Sequence, residues 1–292
     1  MKIVSFGEIL FDVFVHTSVV GGAPFNFVAH ACAQGAEGYL VTAIGDDELG
    51  KDALREMEKR GVRTSLVTVS SLPTGRCLVL LAEDGTPTYE LVTGAYDETA
   101  LTPDVDKVIE GGYDALYYGT LAQRGEAARR ALDALISLGG YKEVFFDINI
   151  RQDYYSKEII ERGMKNATMV KFSREEAWVF DELDICKEKG EALCRCLAKK
   201  YDLRQVIMTL DADGALVYIA EHDEFFYSEK PRASVVSTVG AGDSFSATYL
   251  CSYLRGDDAP TSLRRATAVA SFVVEHMEAI PEYTEKLKKL LL

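Results

Sequence analysis

The chain contains VFFDINIR at residues 144–151, a short apolar segment that ends in polar side chains. A run of four to eight mainly apolar residues is typical of a strand buried on both faces of a parallel sheet. The periodicity of residues 156–166 predicts a helix after it, so the two segments form one strand–helix unit. Repetition of this unit along the chain predicts the α/β fold class.

The same alternation extends in both directions from this unit. The predicted strands are Lys2–Gly7, Tyr39–Ala43, Ala115–Tyr118, Val144–Asp147, Met169–Lys171 and Gln205–Thr209. The predicted helices are Pro24–Gln34, Asp47–Arg60, Gly125–Leu138, Ser156–Asn166, Lys187–Lys200, Phe245–Arg255, Ser262–Glu275 and Glu282–Leu291. Because parallel strands need crossover connections, we expect a central, mostly parallel sheet within one domain over residues 1–292.

Two stretches interrupt the strand–helix order. Residues 11–15, 74–82 and 88–92 have the pattern of a β-ribbon, with Asp84-Gly85 at the tip of a predicted hairpin. A sheet this small is not stable alone, so we expect a lid inserted at about residues 11–20 and 74–95. Such a lid covers a ligand and excludes water. The alternative is a sheet extension or a dimer contact, and a homodimer through the lid is one prediction.

The acidic composition excludes several classes of partner. The 292 residues include 32 basic and 46 acidic side chains, which gives a net charge of −14. No broad basic face is expected, so we predict neither a nucleic-acid partner nor a membrane partner. Glu8 and Asp12 interrupt the first apolar run before a signal or membrane segment is complete, which predicts a soluble, cytoplasmic protein.

Cysteine and histidine spacing does not indicate a metal site. The six cysteines are scattered without a C-x-x-C pair, and the four histidines form no H-E-x-x-H motif. We therefore expect reduced cysteines that fill apolar space, and no zinc hydrolase chemistry.

The strongest local motif is STVGAGDSF (residues 237–245), a glycine-rich turn that leads into a helical pattern. Two glycines let backbone N–H groups converge, and a helix start adds positive partial charge, so the turn predicts an anion site. Asp243 would lie beside the anion, where its carboxylate could accept a proton from an attacking hydroxyl. The structural alternative is that Asp243 or Ser244 only caps the helix.

A second glycine pair precedes a helix near the other end of the chain. GGAPFN (residues 21–26) has proline in the first helical turn and an amide side chain beside it. Asn26 and the upstream Asp12 supply the donors and acceptors that sugar hydroxyls require. A tight loop capped by Asn26 is the structural alternative.

The third cluster is the polar end of residues 144–151. In open α/β sheets ligands bind at the carboxyl ends of the strands, where this cluster lies. Strand alternation directs Asp147, Asn149 and Arg151 to the same side, and Arg151 could hold a phosphate oxygen.

Together these motifs resemble those of the ribokinase-like carbohydrate kinases, also called the PfkB family, over essentially the whole chain. GGAPFN at 21–26 and GAGDSF at 240–245 match the two family signatures in order and separation. FDINIRQ at 146–152 and GEILFD at 7–12 are similar to the fructokinase branch. The resemblance implies an ATP-dependent kinase with a ribokinase-like three-layer sandwich fold and a small β-sheet lid over the sugar.

The resemblance also implies roles for individual residues. Asp243 would be the catalytic base, and Gly240, Ala241 and Gly242 would form the anion hole for the transferred phosphoryl group. The other implied residues are for substrate (Asp12, Gly21, Gly22, Asn26, Arg151), for nucleotide (Ser173, Thr209, Gly214) and for Mg²⁺ (Glu176, through water). ATP and Mg²⁺ are thus the implied cosubstrate and metal ion. Because a helix N-terminus stabilises negative charge, we expect a low pKa for Asp243.

Three positions differ from the family pattern. Ser237 stands where an Asp generally helps to bind a monovalent cation, and Glu278 replaces a late glycine, so the need for K⁺ is left open. Asp211 replaces a glycine in the turn beside the ATP phosphates. Its charge would repel a triphosphate unless it points away or meets a cation.

The first substrate prediction is fructose, phosphorylated on a primary hydroxyl. Ribokinase, 2-keto-3-deoxygluconate kinase and nucleoside kinase activities are alternatives, because one lid residue can decide which sugar fits. A non-catalytic sugar- or nucleotide-binding regulator is the alternative from another class. The three changed positions favour a regulator, and the intact Asp243 opposes it.

Overall fold

Strands and helices alternate through the computed structural model, which describes residues 1–14, 17–81, 87–102, 104–110, 112–230 and 233–291. The strands are β1 (Lys2–Phe6), β2 (Leu10–Val13), β3 (Ser18–Gly21), β4 (Glu37–Gly45), β5 (Val67–Ser70), β6 (Gly75–Leu81), β7 (Pro87–Val92), β8 (Ala115–Gly119), β9 (Glu143–Asp147), β10 (Met169–Ser173), β11 (Gln205–Thr209), β12 (Ala215–Ile219) and β13 (Glu224–Tyr227). The helices are α1 (Ala23–Ala33), α2 (Glu48–Lys59), α3 (Val105–Glu110), α4 (Glu126–Leu138), α5 (Lys157–Asn166), α6 (Trp178–Glu182), α7 (Gly190–Tyr201), α8 (Ala241–Leu254), α9 (Ala259–Val274) and α10 (Glu285–Leu291).

The large sheet is mostly parallel, as the sequence predicts. Among the described residues its nine strands follow the order β13-β12-β11-β10-β9-β8-β1-β4-β5. The seven strands from β11 to β5 in this order pair in parallel. At the other edge, β12 pairs antiparallel with both β11 and β13. That edge hairpin and β5 were not among the predicted strands.

Each central strand is buried on both faces, which makes the fold three layers thick. Neighbouring residues in β8 and β9 enter different apolar cores: Tyr117 and Phe145 belong to one, and Tyr118 and Phe146 to the other. Helices α1 and α8 pack on the first side, and α5 and α7 on the second. Burial on both faces explains why these strands are apolar runs without polar alternation.

The predicted lid is a second, smaller sheet. Its described strands follow the order β3-β2-β6-β7, with β2 and β6 parallel and the other two pairs antiparallel. A separate apolar cluster that includes Leu10, Leu91, Tyr96 and Leu121 joins its root to the main body. The predicted hairpin tip at Asp84-Gly85 lies outside the described residues.

The expectation of six reduced cysteines is wrong for one pair. Cys186 and Cys196 form a disulfide, with their Cα atoms 6.8 Å apart. Cys32, Cys77, Cys194 and Cys251 are free. The pair was missed because the turn before α7 folds Cys186 back onto that helix, which sequence spacing does not reveal.

Within the described part of the chain, no helix combines the length and the apolar character needed to cross a bilayer.

Candidate active site

The three motif regions meet at one edge of the large sheet. Parallel strands β1, β8, β9, β10 and β11 all end there, and helices α1 and α8 begin there. This is the edge at which open α/β sheets bind ligands.

Only glycine fits at the centre of the glycine-rich turn before α8. Gly240 has a φ of +79°, and a Cβ there would lie 2.5 Å from the carbonyl oxygen of Ala279. Among the described residues no side chain caps the N-terminus of α8. The first-turn N–H groups of Gly242 and Asp243 therefore remain available to an anion, as the motif predicts.

Asp243 lies against the first turn of α1, 217 residues away along the chain. Its Oδ2 accepts a hydrogen bond from Asn26 Nδ2 at 2.8 Å. The two glycine motifs thus belong to one site, and the carboxyl group is held in a defined orientation.

The expectation of a low pKa for Asp243 is wrong. Burial raises the pKa of Asp243 to about 6, and the nearby charge of Asp147 adds to this rise. The hydrogen bond from Asn26 and the positive charges of Lys171 and Arg151 lower it only in part. Desolvation of a carboxylate outweighs the helix dipole here.

A buried ion pair lies beneath α8. Lys171 Nζ donates to both carboxylate oxygens of Asp147, at 3.0 and 2.8 Å. Tyr117 and Ser246 donate to the same carboxylate at 3.1 and 3.0 Å. Burial favours neutral Lys171, but the charges of Asp147, Glu176 and Asp243 and the hydrogen bond to Asp147 together outweigh this and keep the Lys171 pKa above its usual value.

The strand alternation expected for residues 147–151 ends at Asp147. Asp147 is buried in the ion pair, whereas Asn149 and Arg151 line a cavity. The reason is that β9 ends at Asp147 and Asn149 has a φ of +40°, so the period of two no longer applies.

A cavity of about 420 Å³ opens beside the anion hole. Its wall includes Ser173, Glu176, Thr209, Gly214, Ala241 and Gly242. All six were predicted from the sequence, four for nucleotide or metal and two for the anion hole. The volume lies in the range of small-molecule sites, about 300–1,000 Å³.

Glu176 connects two strand ends. Its Oε2 accepts from Ser173 N at 2.7 Å and its Oε1 from Ile150 N at 2.7 Å, while Ser173 Oγ accepts from Glu176 N at 3.2 Å. No cluster of three or more His, Cys, Asp or Glu side chains suited to a metal ion occurs among the described residues. One carboxylate fits Mg²⁺ only if nucleotide phosphates and water complete its shell, which is how Mg²⁺ commonly binds.

The acidic turn beside the cavity is neutralised by cations. Arg174 lies 3.5 Å from Asp211 and 3.0 Å from Asp213, and Lys230 lies 2.8 Å from Asp213. The cation Arg174 therefore offsets the repulsion predicted between Asp211 and a triphosphate.

The predicted sugar-binding residues lie on the lid side of Asp243. Asp12 Oδ2 lies 3.5 Å from the position that a Cβ of Gly21 would take. Burial raises the pKa of Asp12, while a hydrogen bond with Cys77 and the charge of Arg151 lower it. Asn26 is buried, and its Oδ1 has no hydrogen-bond partner among the described residues.

Two residues of this site were not predicted as site residues. Lys171 lines the cavity, and Glu8 is a buried carboxyl between β1 and β2. The signal for both was a charged side chain at the end of an apolar strand, where a satisfied surface position and a site residue look alike in sequence.

Comparison with known proteins identifies the family. The model of the pfkB family carbohydrate kinases matches residues 5–286. The chain belongs to this family. It is therefore a phosphotransferase of the PfkB class, whose members act on alcohol groups of sugars and nucleosides.

Individual PfkB relatives differ in their substrates. Aminoimidazole riboside kinase of Salmonella typhimurium is 27% identical over 243 residues, which is 77% of this chain and 70% of that protein. The 2-dehydro-3-deoxygluconokinase of Thermotoga maritima superposes with a TM-score of 0.85 at 19% identity, covering 100% of this chain and 99% of that one. The ATP-bound fructokinase of Xylella fastidiosa gives 0.83 at 19% identity, covering 99% and 97%. These likenesses establish the ribokinase-like fold and leave the substrate open.

Proposed function

We propose that this PfkB kinase transfers the γ-phosphoryl group of ATP to a primary hydroxyl of a neutral sugar, with fructose as the first candidate. The observation that carries the proposal is the position of Asp243. Asn26 holds it between the anion hole, which opens into the cavity, and the side chains on the lid side. A hydroxyl beside Asp243 would face a phosphoryl group in the anion hole.

The residues suggest how transfer would proceed. The sugar oxygen forms a bond to the γ-phosphorus as the bond to the bridging oxygen of ADP breaks, and Asp243 takes the hydroxyl proton. N–H groups of Gly242 and Asp243 stabilise charge on the transferred group. Arg151 adds positive charge at the cavity wall. Mg²⁺, held in part by Glu176, would neutralise phosphate charge when bound.

The cavity wall suits the rest of a nucleotide. Beyond the anion hole it is lined by Val235, Ala270 and Val274, which are apolar. An apolar wall next to a polar anion site matches the division of ATP into a base and a charged triphosphate.

The charge balance on the lid side favours a neutral sugar over a sugar acid. Glu8, Asp12 and Asp243 bring three carboxyl groups to it, and the charge of Arg151 acts on all three. Arg124 does not add a free cation, because its guanidinium Nε donates to Asp97 at 2.8 Å. An anionic substrate would meet net repulsion there.

An ADP-release assay tests the substrate. The panel consists of fructose, ribose, 2-keto-3-deoxygluconate, glucose and adenosine. We expect the highest kcat/KM with fructose and the lowest with the sugar acid. A preference for 2-keto-3-deoxygluconate would contradict the neutral-sugar proposal. Absence of turnover with every member would instead favour a binding regulator.

We expect activity to depend little on K⁺. Ala279 O lies 2.9 Å from His30 Nε2, and Ile280 O accepts from Arg60 Nη1. These carbonyls of the late segment already have partners, and Ser237 offers only a neutral hydroxyl. Because carbonyl oxygens are typical K⁺ ligands, replacing K⁺ with tetramethylammonium at constant ionic strength should change kcat/KM by less than about twofold. Strong activation by K⁺ would show that a cation site persists.

Homodimerisation and cytoplasmic location stay predictions. Exposed apolar side chains on the described part of the small sheet, Phe14, Val19 and Tyr89, support a contact through the lid.

A further inference from the structure

Glu8 is a buried carboxyl group that the proposed transfer step does not use. It lies on the loop between β1 and lid strand β2 and is only 3% exposed. Its Oε2 has no hydrogen-bond partner among the described residues. Leaving a polar atom buried and unpaired is unfavourable, and more so for a charged group, so the position calls for a ligand.

The loop that carries Glu8 is pressed against the start of α1. A Cβ on Gly22 would lie 2.5 Å from the Glu8 carbonyl oxygen. Gly7, with a φ of +138°, is equally close: a Cβ there would lie 2.7 Å from Pro24 Cγ. The backbone of Glu8 is therefore held in place beside the glycine motif that leads to Asn26.

The charged groups around Glu8 are those of the proposed reaction centre. Burial raises the pKa of Glu8 to about 7, and the negative charge of Asp243 adds to the rise. Backbone N–H groups of Glu8 and Ala23 and the positive charge of Arg151 lower it. Burial is the largest cause of the raised pKa values of Tyr96 at the lid root and Tyr117 in β8, and the charge of Glu8 adds to both. Glu8 thus lies among polar and charged groups that come from α1, α8, the loop after β9 and the lid root.

Three further buried polar atoms at the same edge of the sheet have no hydrogen-bond partner among the described residues. They are Asn26 Oδ1 in the first turn of α1, and Gln123 Oε1 and Arg124 Nη1 after β8. Donors and acceptors left without such partners at one sheet edge are suited to a ligand with several hydroxyl groups.

We propose that Glu8 is a specificity-determining residue whose Oε2 accepts a hydrogen bond from a sugar hydroxyl other than the one phosphorylated. This inference rests on the proposed sugar kinase function and adds to it a residue that binds the neutral sugar. A carboxyl at this point accepts from a hydroxyl but disfavours a carboxylate on the substrate, which links Glu8 to the choice between sugars and sugar acids.

The test compares Glu8→Ala and Glu8→Gln with wild type in steady-state kinetics. At a pH well above 7, where the Glu8 carboxyl is ionised, loss of a hydrogen bond to this charged group should raise the KM for fructose about 10- to 100-fold in Glu8→Ala, with the KM for ATP unchanged. Glu8→Gln keeps the shape and an acceptor oxygen, so most of the fructose affinity should return. Fructose KM at the wild-type value in both variants would overturn the proposal.

Deoxyfructoses identify the hydroxyl and show whether the contact is direct. Wild type should lose affinity when the contacted hydroxyl is absent, whereas Glu8→Ala should bind that analogue and fructose equally. Equal losses in wild type and variant for every analogue would also overturn the proposal. If Glu8→Ala does not fold, Glu8→Met, which fills the same space but offers no oxygen acceptor, takes its place in the comparison.

Glu143→Gln is the matched control. Glu143 is a buried carboxyl, 4% exposed, at the opposite end of β9, where it pairs with Arg204 at 3.1 Å. Its loss should lower the melting temperature without changing the KM for fructose. If wild type phosphorylates fructose and the Glu8 variants have the wild-type KM for fructose, only the proposed role of Glu8 is refuted. Absence of wild-type turnover with every member of the substrate panel, and of binding by calorimetry, would refute the sugar kinase function as well.

Discussion

Replacing Asp243 with asparagine should lower kcat by about 10²- to 10⁴-fold, because the variant loses the group that takes the hydroxyl proton. Fructose binding, measured by calorimetry, should survive, since Asn26 and Asp12 are unchanged. Asparagine has nearly the shape of aspartate and can still accept the hydrogen bond that Asn26 donates at 2.8 Å. Turnover at the wild-type rate would remove Asp243 from the base role.

The pH profile provides an independent readout of the same carboxyl. The base must be ionised to accept a proton, so kcat/KM should fall as the pH is lowered through about 6. A carboxyl with an ordinary pKa would keep its activity down to about pH 4. The acid limb near 6 reflects burial and Asp147, opposed by Asn26, Lys171 and Arg151.

Asp258→Asn is a suitable control for the Asp243 variant. Asp258 caps α9, far from the anion hole, and its Oδ1 accepts from Thr261 N at 2.8 Å. Asparagine caps helices about as well as aspartate, so kcat should stay at the wild-type value. A loss of activity in this variant too would indicate a general effect of removing an acidic side chain.

Replacing Lys171 with methionine should lower the free energy of unfolding by about 3–5 kcal/mol, because Asp147 is left buried without its cation. Asp147 is 1% exposed and Lys171 is 7% exposed in the side chain. Chemical denaturation of the ligand-free protein measures the change. The loss of a positive charge should also raise the pKa of Asp243 and move the acid limb of kcat/KM to higher pH.

A second change distinguishes this mechanism from loss of packing. Adding Asp147→Asn to Lys171→Met removes the unpaired charge and should restore most of the lost stability. Lys142→Met is the exposed counterpart: Lys142 pairs with Asp114 at 2.7 Å but is 71% exposed, so its loss should cost less than about 1 kcal/mol. A double variant no more stable than Lys171→Met would contradict the account.

The sequence anticipated the central sheet well and its edges poorly. Strands β1, β8, β9, β10 and β11 are buried on both faces, and each appears as a short apolar run. The hairpin of β12 and β13 was missed: its outer strand, EFFY, is only four residues long and partly exposed, so it does not form the buried apolar run by which the central strands were found. Edge strands have fewer neighbours to impose a pattern on their residues.

Local motifs located the site, but not the state of its groups. The sequence is enough to infer the roles of the glycines within residues 21–22 and 240–242. A positive φ angle, or a close approach between two backbone segments, selects glycine. The pKa of Asp243 was inferred with the wrong direction, and the Lys171–Asp147 pair and the neutralisation of Asp211 by Arg174 were not inferred. Each depends on residues that are far apart in sequence.

By itself, the sequence determined the α/β class, the order of the central strands and the larger helices, the two glycine turns and the candidate base. These properties depend on hydrophobic periodicity and backbone conformation, which act over a few neighbouring residues. Only the tertiary structure decided that Asn26 reaches Asp243 across 217 residues, that Glu8 Oε2 is buried without a hydrogen-bond partner among the described residues, and that Asp243 has a raised pKa. Burial and Coulomb interactions act through space, and the fold alone determines which groups they join.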